Sequence, residues 1–180
     1  MAAARVRALL VALAGLGALF GVACLDRPAG RPDRGDAPGA EVVSFRTEDG
    51  VTLSGRLWAR DPRRLVIYLH EYRGTQATWW PTARAGEAAE PSAMTFDFRG
   101  HGTSEGDEDD LAGIVPDAAA ALAFARERGY ERVVFVGAGM GAAAAIVVAA
   151  PAEHVAVLGL SAPSEFADVR ADEAVAPIAG

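Results

Sequence analysis

The chain has 180 residues, with 17 Arg plus Lys against 24 Asp plus Glu and a formal net charge of −7. That balance, with no dense basic patch, argues against a nucleic-acid binder. A hydrophobic fraction of 51% excludes a disordered or collagen-like chain, although the first two dozen residues contribute part of it. A single cysteine excludes a disulfide framework and a Cys-rich zinc site. No nucleotide-binding or metal-binding motif is found, so no cofactor is expected.

The amino end has the order of a secretory signal. Arg5 and Arg7 precede Ala8 to Ala23, a run of apolar or small residues that ends at Cys24. The run is shorter than the roughly 20 residues that span a bilayer, which favours a cleaved signal over a tilted signal anchor. Gly21-Val22-Ala23-Cys24 resembles the lipobox of bacterial lipoproteins, whose cysteine is acylated after cleavage. It departs from that pattern at Gly21, where a branched apolar residue is usual. Cys24 is therefore either a lipidation site, the favoured reading, or a small residue at an ordinary signal-peptidase site. Both readings export the protein, and the first makes it a membrane-anchored lipoprotein facing the periplasm or the extracellular side. From Cys24 onward 15 Arg stand against 24 acids, a charge that anionic headgroups repel, so a lipid chain would have to hold it at the membrane. Residues 24–40, rich in Pro, Gly, Asp and Arg, read as a flexible tether, and the globular domain is expected over residues 41–180.

From there strands and helices alternate. Val42 to Thr47 and Val51 to Ala59 flank Asp49-Gly50, which suits a tight antiparallel hairpin. Leu65 to Leu69 is continuously apolar, as a strand buried on both faces requires. A helix is predicted over residues 77–88, a strand over 93–98 and a helix over 116–128, with Pro116 in its first turn and Gly129 as terminator. Val133 to Val136 and Val155 to Leu160 are further strands, separated by a helix from Met140 to Ala149. This alternation implies an α/β fold, a mostly parallel sheet with helices on both faces. Ligands in such sheets bind beyond the carboxyl ends of the strands.

Three loops at those ends carry a resemblance: His70-Glu71-Tyr72-Arg73-Gly74, the run Asp97 to Ser104 (DFRGHGTS), and Gly137-Ala138-Gly139-Met140-Gly141. Their order and spacing are similar to the α/β-hydrolase family of serine-hydrolase type, with the first six strands present between Val42 and Phe166. The resemblance implies an ester or amide hydrolase of small substrates. It also implies a nucleophile at the centre of G-x-S-x-G, on a strained strand-to-helix turn. Here Gly139 stands in that place, and it has no oxygen or sulfur with which to attack a carbonyl. The oxyanion hole would use the backbone N–H groups of Met140 and, from the third-strand loop, Tyr72.

His70 and His101 belong to loop motifs in which such residues order the backbone more often than they act as bases. Glu71 replaces the glycine usual after the histidine. It either opposes a developing oxyanion, points to solvent or pairs with Arg73. With Ser104, these residues are the candidate ligand contacts. Ser104 and Ser161 are the other hydroxyl nucleophiles to consider, and the bland reading of each is a loop-ordering residue. His154 falls at the amino end of its strand. Gly106 to Asp110 reads as a solvated acidic loop and Trp79 and Trp80 receive no role.

The family's acid and histidine follow later strands, so the sequence reads as a C-terminally truncated hydrolase, inactive by itself. The alternatives are a membrane-tethered pseudoenzyme that binds a ligand or partner, and an active enzyme with an unconventional nucleophile. Residues 155–160 would form an apolar sheet edge, to be covered by the tail, a separate edge-strand partner or a second copy.

Overall fold

The computed structural model describes residues 37–86 and 90–175. The leader, Cys24 and most of the expected tether lie outside the described residues. The first described residues are packed: the Ala40 N–H donates to the Ala37 carbonyl, and the Trp58 indole N–H donates to the Pro38 carbonyl. The last four residues of the expected tether therefore sit against the domain.

The sheet has six strands: β1 (Glu41–Arg46), β2 (Thr52–Trp58), β3 (Arg64–Leu69), β4 (Ser92–Phe96), β5 (Arg132–Ala138) and β6 (Val155–Leu160). Their spatial order is β1-β2-β4-β3-β5-β6. The β1–β2 hairpin is antiparallel with Ser44 opposite Ser54, and its turn closes through Gly50 at φ 91°. β2 also runs antiparallel to β4, whereas β4, β3, β5 and β6 are mutually parallel. The mostly parallel α/β sheet expected from the sequence is therefore present.

Helices α2 (Ile114–Glu127) and α3 (Met140–Ala149) cover one face. They bury Leu65, Ile67, Leu69, Val133 and Phe135 from the sheet. Small residues let α3 approach closely, and Ala142 to Ala145 are fully buried. At the far end of α2 a Schellman cap stops the helix, with Gly129 at φ 88° and the Tyr130 N–H donating to the Ala125 carbonyl.

The second face differs from expectation in two ways. In place of a helix over 77–88 there is a short 3₁₀ turn (Gln76–Trp79) and then α1 (Trp80–Arg84), in which Pro81 is tolerated at the first turn. Residues 87–89 lie outside the described residues. This segment reaches only β2, β4 and β3, where Trp58, Ala83 and Ala93 form a second small core. Across β5 and β6, Val134 and Val136 stay partly exposed and Leu158 and Leu160 are exposed, among the described residues. After β6 the chain forms a small hairpin, β7 (Glu165–Phe166) and β8 (Val169–Arg170), then α4 (Ala171–Val175). These elements pack on α3, not on the free edge of β6.

Candidate active site

The turn from β5 into α3 is the structural centre of the carboxyl end of the sheet. Gly139 adopts φ 51°, ψ −118°, a conformation that is costly for any residue with a β-carbon. Its N–H donates to the Leu160 carbonyl at 3.0 Å, which pins the turn to the end of β6. Its carbonyl accepts from the N–H groups of Ala142 and Ala143. The flanking glycines are required by close approach. A β-carbon on Gly141 would stand 2.7 Å from the carbonyl oxygens of Leu69 and His70, and one on Gly137 would stand 2.6 Å from the Ala142 nitrogen. At Gly139 the nearest atom to such a β-carbon among the described residues, its chain neighbours aside, is Glu71 Cβ at 3.7 Å. The elbow therefore has space for a side chain at the position where this chain has none.

Met140 opens α3, so its N–H lies at the positive end of the helix. Neither that N–H nor the Tyr72 N–H donates to a protein acceptor among the described residues. The Met140 side chain is buried in the core, so only its backbone faces the turn. The third-strand loop bends through Arg73 at φ 60°, with the Gly74 N–H donating to the Glu71 carbonyl at 2.9 Å. Arg73 does not pair with Glu71; its guanidinium lies over the Tyr72 ring, 5.3 Å from the centroid. The Glu71 carboxylate curls back over its own loop, 2.8 Å from where a β-carbon on Gly74 would be.

His70 is fully buried with both ring nitrogens engaged. Nδ1 lies 2.8 Å from the Glu71 carbonyl, which can only accept, so Nδ1 carries the proton. Nε2 accepts from the Phe98 N–H at 3.1 Å. Burial, and more weakly the neighbouring His101, hold the imidazole neutral with its pKa lowered to about 3. His70 thus ties the β3 loop to the β4 loop and presents no free atom to a ligand. His101 is 6% exposed; Nδ1–H donates to the Arg99 carbonyl at 2.8 Å, and Nε2 has no protein partner. Rings continue from His70 to His101 (5.1 Å), Tyr72 (6.5 Å) and Phe166 of β7 (5.7 Å), so the tail hairpin closes over the third-strand loop.

The fourth-strand loop is held by Asp97 and Arg99, to which the sequence assigns no role, and by Ser104, which orders the loop as expected. Buried Asp97 accepts from the Gln76 N–H at 2.8 Å, Gln76 Nε2 at 2.7 Å and the Thr103 N–H at 3.2 Å. Burial pushes its carboxyl pKa up, and these donors hold it back. Arg99, also buried, pairs with Asp117 on α2, with Asp49 in the first hairpin and with Asp110. Burial alone would lower its pKa, but the three carboxylates raise it and keep the guanidinium charged. Asp110 therefore belongs to this ion-pair cluster and departs from the solvated reading of the acidic loop. The Ser104 hydroxyl donates to the Asp97 carbonyl at 2.6 Å and accepts from the Ser54 N–H at 2.9 Å, so it orders the loop.

Ser161 is exposed in the left-handed region at φ 50°, directly after β6. His154 stands at the opposite end of that strand. There it lines an open apolar groove of about 690 Å³ with Val115, Leu122 and Val148, far from the elbow. Trp79 packs beside Tyr68, and Trp80 lies under Arg56, on the second face of the sheet. Among the described residues no group of His, Cys, Asp or Glu is arranged to hold a metal ion, and no helix is long and apolar enough to cross a membrane.

Residues 60–177 match the serine aminopeptidase S33 family. The chain belongs to that family. Its fold is that of an α/β hydrolase, as solved structures show. An esterase from Pyrococcus furiosus, Pf2001, superposes with a TM-score of 0.58 at 24% identity, over 70% of this chain and 50% of that one. The α/β hydrolase GrgF from Penicillium sp. sh18 gives 0.61 at 22%, over 68% and 46%. A bottromycin epimerase, BotH, solved in complex with bottromycin A2, gives 0.58 at 22%, over 74% and 53%. This S33-family chain thus spans about half the length of these structures. No curated protein matches its sequence.

Proposed function

We propose that this S33-family chain is a hydrolase scaffold without elbow chemistry, which holds a small ester, amide or carboxylate ligand at the β5–α3 turn and does not cleave it. The observation that carries the reading is Gly139: the strained elbow is intact, space is open above it, and no nucleophilic atom is there. The backbone donors of Met140 and Tyr72 need no particular side chain and would polarise a ligand carbonyl without acylation. The S33 family and the esterase-like neighbours support a carbonyl compound as the ligand. The fold also serves an epimerase among those neighbours, so binding without hydrolysis is compatible with it.

Turnover of a panel of activated short-chain esters by the full chain tests this reading, with folding checked by circular dichroism. The expected result is no turnover above background, with a rise in melting temperature when a short-chain amide or carboxylate is added. Gly139→Leu fills the space above the elbow and should abolish that rise. Turnover by the unchanged chain overturns the proposal, and its loss in Ser161→Ala would assign the nucleophile to the strained serine after β6.

The leader supports a second element of the proposal: Arg5, Arg7, the apolar run and Cys24 fit an exported, lipid-anchored protein. Metabolic labelling with an alkyne fatty acid should mark the chain, and Cys24→Ala should remove the label. An unlabelled chain would leave Cys24 as an ordinary cleavage-site residue.

A further inference from the structure

The backbone donors of Met140 and Tyr72 recognise a carbonyl oxygen whatever the rest of the ligand carries, so discrimination between ligands falls to the side chains around the elbow. Glu71 is placed to supply it. Its Cβ stands 3.7 Å from where a β-carbon on Gly139 would be, beside the open position. Only three bonds separate that Cβ from the carboxylate oxygens, so every rotamer keeps them within about 7.5 Å of the same point. The Debye length is about 8 Å at physiological ionic strength, so a group lodged above Gly139 feels this charge whichever way the side chain turns.

The local structure keeps Glu71 there and leaves its charge uncompensated. The His70 ring, through Nδ1, and the Gly74 N–H both donate to the Glu71 carbonyl, at 2.8 and 2.9 Å, which pins the residue at the end of β3. The side chain is partly buried, so water screens it incompletely. Among the described residues no ion pair engages the carboxylate. Arg73, two residues on, lies over the Tyr72 ring instead.

We propose that Glu71 sets the charge selectivity of the β5–α3 site, favouring carbonyl ligands that carry a cationic group and disfavouring anionic ones. The inference rests on the carbonyl-binding reading above and narrows it: an ester or amide bearing an ammonium or guanidinium group is preferred to a carboxylate. The α/β-hydrolase pattern has glycine at this place, so the selectivity belongs to this chain and not to the shared scaffold. A unit charge about 6 Å from a carboxylate changes affinity about threefold through bulk water and about a hundredfold at the effective dielectric of a protein surface. The net charge of −7 adds a diffuse field of the same sign, which a change confined to Glu71 leaves almost intact.

Glycinamide, propionamide and malonamate share a primary amide and differ in whether the group beyond the methylene is cationic, neutral or anionic. Ligand-observed NMR titration of the full chain in non-ionic detergent should rank their affinities in that order, with glycinamide at least about tenfold tighter than malonamate. Glu71→Gln should cut this ratio at least about tenfold, and Glu71→Lys should raise malonamate above propionamide. A folding defect would weaken all three ligands together and leave the ratio alone. Salt at about 1 M, where the Debye length is about 3 Å, should bring the wild-type ratio close to that of Glu71→Gln. A wild-type ratio near one, or a ratio that Glu71→Gln leaves unchanged, overturns the inference, while binding of propionamide would still uphold the carbonyl site. If none of the three binds, the carbonyl site falls and the selectivity with it.

Discussion

The loops after β4 and β5 flank the third-strand loop at the carboxyl end of the sheet and are built on opposite principles. In the fourth-strand loop the side chains do the structural work: Asp97 collects three donors, Arg99 three carboxylates, and the Ser104 hydroxyl both donates and accepts. At the elbow the backbone does it, through close contacts allowed by Gly137 and Gly141 and through the strained Gly139. A loop of the first kind cannot lose a side chain cheaply, because each removal strands a buried partner. A turn of the second kind can lose its central side chain at no structural cost, since none of its hydrogen bonds runs through that atom. The reactive atom of a serine hydrolase sits in the one position of this site that the fold does not need.

The sharpest way to break this comparison is to remove Arg99. Arg99→Met leaves the fully buried Asp117 without its cation, and breaking a buried pair in this way costs about 3–5 kcal/mol. Urea unfolding should show a loss of that size at neutral pH; a loss under about 1 kcal/mol would mean that Asp117 finds other donors. Next comes Gly141→Ala. Its new methyl meets the carbonyl oxygens of Leu69 and His70, at the end of β3 and the start of its loop, which cannot yield without moving α3. Overpacking of this kind costs about 1–3 kcal/mol, and the same measurement should place this variant in the upper part of that range.

Much of the scaffold was legible in the sequence because it rests on local patterns. Leu65 to Leu69 and Val155 to Leu160 read as strands from apolar runs alone, and the run Val133 to Ala149 reads as a strand, a glycine-rich turn and a helix. The segment after β3 departs from the single helix expected over 77–88, because its alanines satisfy a helical pattern that Pro81 and Gly86 interrupt. The fourth-strand cluster was not legible: Arg99 meets Asp49 across 50 residues and Asp117 across 18, and nothing local announces either pairing. The open second face over β5 and β6 was equally hidden. Alternating strands and helices predict that both faces are covered, without saying how far each helix reaches.

His70 offers a smaller effect that separates ordering from catalysis. Its imidazole is held neutral in the fold, with a pKa near 3 against 6.5 for a free side chain. The unfolded chain therefore takes up a proton as pH falls through about 6.5, while the folded chain does not until near 3. Stability from this group is complete above that window and is lost on acidification, by at most about 1.4 kcal/mol per pH unit. Urea unfolding of the wild type at pH 7 and 5 should show this slope. His70→Gln should flatten it while lowering stability at pH 7, because a neutral amide replaces the titrating ring. An unchanged slope in the variant would move the acid sensitivity elsewhere.

The smallest expected effect carries the comparison furthest. Gly139→Ala adds a methyl where the nearest atom stands 3.7 Å away, so crowding contributes nothing, and the penalty is that of holding a β-carbon at φ 51°. A strained backbone conformation of this kind costs on the order of 1 kcal/mol, and the lower entropy of the unfolded alanine chain offsets part of it. Unfolding of Gly139→Ala beside Gly141→Ala should therefore separate two glycines of the same motif, two residues apart, by about 1–2 kcal/mol. Equal losses would mean that the centre of the elbow is as tightly packed as its flanks. In that case the space above Gly139 could not hold a ligand group, and the binding role proposed for the turn would fall with it.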